Sequence, residues 1–135
     1  MKNFNAINQH SSVSLTRIYE PYDNSLILEV KKSMADEIQH DGKLGLLFTI
    51  SFGRYVSYHV INESYARPSS SEIYVAGDFC TFCIFPNSRY MDHILQETFA
   101  EEIYPSELRH YTLFAANHVV HIISRQEPVI LMHSA

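Results

Sequence analysis

Only two cysteines occur in 135 residues, which excludes a disulfide-stapled scaffold, because a framework of bridges needs at least four. No apolar run approaches the ~20 residues that span a bilayer. The opening residues, MKNFNAINQH, lack the continuous apolar stretch of a secretory leader. Lysine disappears after Lys43 and no cluster of Lys and Arg occurs, so the counterion release that drives phosphate binding has no source. Direct nucleic-acid binding is therefore not expected, and an anionic membrane surface is disfavoured on the same ground. Also missing are a P-loop, a dinucleotide glycine fingerprint, an H-E-x-x-H pair and a G-x-S-x-G elbow.

What is present suffices for one core. Apolar residues make up 46% of the chain, with nine Tyr and eight Phe among the aromatics. That content excludes overall disorder, and the length suits a single domain. The expectation is a soluble, cytoplasmic domain over residues 13–135, preceded by a flexible polar arm over residues 1–12.

The net charge of -5 is unevenly placed. Up to Ser70, seven basic and seven acidic residues cancel. The deficit belongs to residues 71–135, where Arg89, Arg109 and Arg125 face eight carboxylates. It is densest between Arg89 and Glu107, around Asp92, Glu97, Glu101, Glu102 and Glu107. Such a surface suits a basic protein or a cation.

Residues 13–19 and 25–30 read as strands joined by a Pro-Tyr-Asp-Asn turn. Ser33 to Asp36 resembles a capping box that opens a short helix near 33–41. Residues 44–65 are β-prone and broken at Gly53, where Phe52-Gly53-Arg54-Tyr55 predicts a tight hairpin. A short strand over 72–76 and a Gly77-Asp78 turn come before residues 79–85, which are apolar on both faces except at Thr81 and predict a central strand. Ser88 caps the main helix, whose apolar face is Met91, Ile94, Leu95, Thr98 and Phe99; Tyr104-Pro105 forbids its continuation. The tail reads as a meander over 108–115, 119–124 and 129–133. The fold class expected is α+β: an antiparallel sheet of about six to nine short strands, one main amphipathic helix over about 88–102 on a face, and a short helix near 33–41.

Candidate chemistry is sparse. Cys80 and Cys83 match C-x-x-C, but on a strand residues three apart point to opposite faces, so they read as two buried core cysteines. For His110, His118 and His121, a hairpin turn at Asn117-His118 pairs residues whose numbers add up to 235. That places His110 and His121 about 13 Å apart, too far to share an ion. His110, Thr112 and His121 share one face and Tyr111, Leu113, Ala115, Val120 and Ile122 the other, which reads as polar-out, apolar-in alternation. His93, Glu97 and Glu101 line one helix flank and read as solvated. Glu97, Glu101 and Glu102 crowd the helix C-terminus, where the dipole opposes negative charge by about 0.3–1 kcal/mol each. Ser57, His59 and Glu63 lie in a row on one strand and cannot converge as a triad. Tyr55, Tyr58, Tyr65, Tyr74 and Phe52 read as core packing rather than a pocket.

No catalytic residue, cofactor or metal is assigned. The function expected is binding of a basic protein through Asp92, Glu97, Glu101, Glu102 and Glu107, most concretely as an immunity or inhibitor protein covering the basic cleft of a toxin such as a nuclease. The alternative is a small enzyme or ligand-binding domain with His59, His110, His121 and tyrosines around a sheet pocket. A third option is a homo-oligomer formed through the C-terminal strand, Val129 to Met132.

Overall fold

A computed structural model describes residues 1–33, 46–67, 72–75 and 79–133. Its strands are β1 (Val13–Tyr19), β2 (Leu26–Lys32), β3 (Leu46–Phe52), β4 (Tyr55–Asn62), β5 (Phe82–Phe85), β6 (Arg109–Phe114), β7 (His118–Ser124) and β8 (Val129–Met132). Its helices are α1 (Phe4–Ile7), α2 (Arg89–Glu97) and α3 (Ala100–Ile103). The chain is α+β as expected: the strands pair antiparallel in two sheets of four, ordered β1-β2-β3-β8 and β4-β7-β6-β5. The expected short helix near 33–41 and the Gly77-Asp78 turn lie outside the described residues, apart from Ser33. No helix among the described residues is long and apolar enough to cross a membrane.

Strict alternation builds the core. Leu26, Leu28 and Val30 of β2 and Phe48, Ile50 and Phe52 of β3 point inward from one sheet. They meet Phe82, Tyr111, Leu113, Val120 and Ile122 from the other. Phe52 packs edge-on against Tyr111, and Tyr111 stacks on Phe82 at 6.0 Å. The second sheet is covered on its outer face too: Met91 and Ile94 of α2 pack on Ile123. The order of layers is therefore sheet, sheet, helix.

Several connections differ from expectation. Gly53 does not form a hairpin, because β3 and β4 belong to different sheets; the chain turns a corner, and Tyr55 N–H donates to the Asn24 carbonyl (3.2 Å). A Cβ at Gly53 would stand 2.8 Å from Oε1 of Gln126, the movable end of that side chain, so a substitution there would push Gln126 aside. β8 does not extend a meander but crosses to pair with β3, Ile130 opposite Ile50. β5 is the last strand of its sheet rather than a central one, with only a Val75–Ile84 bridge on its free side. Regular strand geometry starts at Phe82, so period-two alternation does not govern Cys80. Cys80 and Cys83, expected as separate core thiols, meet in a disulfide with their Cα atoms 5.8 Å apart.

The N-terminal residues also depart from a loose arm. Ile7 and Asn8 are fully buried, and Asn8 works as a two-sided clamp. Its Nδ2 donates to the carbonyls of Phe82 (2.8 Å) and Phe4 (3.1 Å), while its Oδ1 accepts from the N–H groups of Thr81 (3.0 Å) and Phe82 (2.8 Å). A short polar side chain that satisfies buried backbone is invisible to a hydropathy pattern. Asn8→Ala strands those backbone groups and is expected to cost about 2–4 kcal/mol in urea unfolding, whereas the exposed Asn5→Ala stays within about 0.5 kcal/mol.

Candidate functional site

The acidic stretch begins at an ordinary helix start. Ser88 Oγ accepts from Met91 N–H (3.0 Å), and Asp92 lies in the first turn, where the dipole favours a carboxylate. The expected single helix over 88–102 breaks at Thr98, whose backbone is extended (φ -135°, ψ 172°). Its Oγ1 donates to the Ile94 carbonyl (2.7 Å) and accepts from Ala100 N–H (3.2 Å), which ends one helix and starts the next. Glu101 and Glu102 thereby fall in the first turn of α3 rather than at the end of α2, and the expected clash with the dipole remains only for Glu97. The line from His93 through Glu97 to Glu101 is also broken.

The break turns two apolar side chains outward. Phe99, expected on the buried face, is 78% exposed, and Ile103 is 63% exposed. On the same two helices, Asp92, Glu97, Glu101 and Glu102 are exposed and have no ion pair among the described residues. Glu107 differs: it pairs with Arg125 (3.3 Å), whose guanidinium also lies over the Tyr104 ring at 5.0 Å.

Beneath α2 lies a layer of imidazoles that the sequence places on an open face. The β6–β7 turn is centred one residue earlier than expected, with Ala115 N–H donating to the His118 carbonyl (2.9 Å). Asn117 is held there because its amide clamps both the N–H and the carbonyl of Leu15. Thr112 therefore faces His121, and His121 in turn faces His59 on β4. The predicted division of faces is correct. The outer face, however, is roofed by α2 instead of water, and His110 is 3% exposed.

The imidazoles are linked rather than separated. His110 Nε2 lies 2.9 Å from His121 Nδ1, and Thr112 Oγ1 bonds both nitrogens (2.9 and 3.1 Å). On its other side His110 Nδ1 meets Ser88 Oγ at 2.7 Å, so the helix cap is one end of a side-chain chain. His59 stacks on His121 with ring centres 4.7 Å apart. Tyr90 presents its ring to His59, His110 and His121, and its hydroxyl lies 2.7 Å from Ser57 Oγ. Ser57 is thus engaged away from any triad.

Burial pushes the His110 imidazolium down to a pKa of about 3, helped by the charges of His121 and His59. Burial likewise lowers His121 to about 4, with His59 adding to the effect and the nearby Glu72 carboxylate opposing it. His59 is lowered by burial, and burial raises the Tyr90 hydroxyl. All three imidazoles are neutral at physiological pH. Among the described residues no group of three or more His, Cys, Asp or Glu is arranged to hold a metal ion.

His110 and His121 form the floor of a cleft of about 550 Å³. Phe85, Phe114 and Val119 supply apolar wall, with Tyr74 and Cys80 beside them, and Glu63, Glu72 and Arg67 stand at its rim. Of the tyrosines expected in the core, Tyr74 lines this cleft, Tyr65 is exposed, and Tyr55 packs against Tyr58. One signal in the sequence pointed to the covered face: Val119 and Ile123 share it with His121, and an open polar face has no use for them. Comparison with protein-family models, curated proteins and solved structures finds no match to this chain.

The neutral imidazoles make stability depend on pH with a definite sign. His110 and His121 bind protons more weakly folded than unfolded, so their contribution is complete above about pH 6.5 and is lost as pH falls towards about 4 and about 3. Unfolding free energy from urea titrations is expected to fall below pH 6 with a slope of up to about 1.4 kcal/mol per pH unit for each site. In His121→Gln that slope should drop by about one proton.

Proposed function

We propose that this protein binds a basic protein partner through the surface of α2 and α3, in the manner of an immunity or inhibitor protein that covers the active-site cleft of a toxin or enzyme. The observation that carries the reading is the pair of exposed apolar side chains, Phe99 and Ile103, on the two helices that also carry the exposed carboxylates of Asp92, Glu97, Glu101 and Glu102, none of them in an ion pair among the described residues. An uncovered aromatic anchor inside a polar rim is the arrangement from which interface affinity usually comes. The carboxylates speed encounter with a basic surface and reject acidic ones. Glu107, expected to share this role, contributes less because Arg125 already neutralises it.

The Cys80–Cys83 bond lies outside the residues of this surface, so the reading, which keeps a cytoplasmic site of action, requires binding to survive reductant. A second reading, a small-molecule binding domain, is favoured by the cleft above His110 and His121.

Affinity capture from native lysate separates these possibilities when three immobilised proteins are compared: wild type, Phe99→Ala and the triple reversal of Glu97, Glu101 and Glu102 to Lys. The expected outcome is a basic protein retained by wild type at low salt, with at least tenfold weaker retention by either variant and weakening of wild-type retention at high salt. All the altered residues are exposed, so circular dichroism should show unchanged folding. Equal retention by all three proteins would disprove the proposal.

A further inference from the structure

We propose that the cleft above His110 and His121 is a binding site for a small amphipathic amine, an organic cation with an apolar body. The inference rests on the second reading above and adds the chemistry of the ligand. The volume, about 550 Å³, lies within the range of small-molecule sites, about 300–1,000 Å³. Phe85 and Phe114 line it, and Phe114 remains exposed although it sits on a strand, so an aromatic face stands uncovered beside the opening. Aromatic faces attract cations and repel anions.

The floor offers one open nitrogen. His121 Nδ1 is engaged with His110 and Thr112, while its Nε2 makes no hydrogen bond among the described residues and is not sealed from solvent, so it is open to a ligand. In the tautomer with the His121 proton on Nδ1, donated to His110 Nε2, the free Nε2 is an acceptor. An ammonium N–H can bond to it. At the rim two carboxylates, Glu63 and Glu72, outweigh the single cation Arg67. Glu72 accepts from Arg89 N–H (2.8 Å), which holds its charge in place near His121.

The probes are phenethylamine, 2-phenylethanol and 3-phenylpropionate, three molecules with one apolar body and a positive, neutral or negative head. Each is titrated near neutral pH into isotopically labelled protein while the histidine and phenylalanine side-chain signals are followed. Phenethylamine is expected to shift His121, His59 and Phe114 saturably and to bind about tenfold more tightly than 3-phenylpropionate. Glu63 is exposed, so Glu63→Gln should fold normally; it is expected to weaken phenethylamine about threefold and leave 2-phenylethanol unchanged. Equal or tighter binding of the alcohol or the acid overturns the amine assignment and leaves a small-molecule cleft standing. Saturable shifts at residues away from the cleft, or none from any of the three probes, overturn both.

Discussion

Burying a layer of imidazoles imposes the constraint on which the rest of this architecture turns. A polar ring placed under a helix must stay uncharged and must find a partner for each buried nitrogen. The chain meets this demand by connecting elements distant in sequence: the Ser88 cap, His110 and Thr112 on β6, and His121 on β7. Each bond depends on the strand register and on where the helix starts. Ser88 answers to both masters, since its hydroxyl accepts the helix's own N–H and meets His110 from the other side. A helix begun one residue earlier or later would leave His110 with an orphaned nitrogen. Met91, Ile94 and Ile123 complete the roof with apolar contact.

Helix α2 accordingly has two separate duties. Its inner face covers the imidazoles, and its outer face begins the acidic surface that continues onto α3. The break at Thr98 keeps these apart. Had the helix continued, its hydrophobic period would have drawn Phe99 inward; the extended Thr98 resets the phase and leaves Phe99 in water. The Thr98 hydroxyl bonds on both sides of the break, so the exposed aromatic has a firm base.

The parts legible in the sequence are those written in local periodicity. The alternation of Leu26, Leu28 and Val30, the Ser88 cap, and the assignment of His110, Thr112 and His121 to one face all follow from spacing within an element. What was not legible depends on which element covers which. Periodicity assigns a face but does not say whether water or a helix lies against it, so the histidines read as solvent-facing. A turn centred one residue off displaces every cross-strand partner by two, enough to turn neighbouring histidines into distant ones. The break at Thr98 comes from a β-branched hydroxyl competing for backbone, a choice that an apolar period does not record. Membership of β8 in the first sheet is a long-range choice, and adjacency in sequence suggested a meander instead.

The crossing of β8 has a consequence for how the protein is made. The first sheet contains β1, β2 and β3 from the start of the chain, yet its fourth strand is the last to be synthesised. Asn3 Nδ2 donates to the Ile130 carbonyl (2.7 Å), a contact that closes a loop of 127 residues. Until residues 129–132 leave the ribosome, β3 presents a bare edge and Asn3 lacks its partner carbonyl. The nascent chain must wait, with Phe48, Ile50 and Phe52 incompletely covered, and closure of so long a loop makes the final step slow. A translational pause before β8 would lengthen the period in which that edge stays bare.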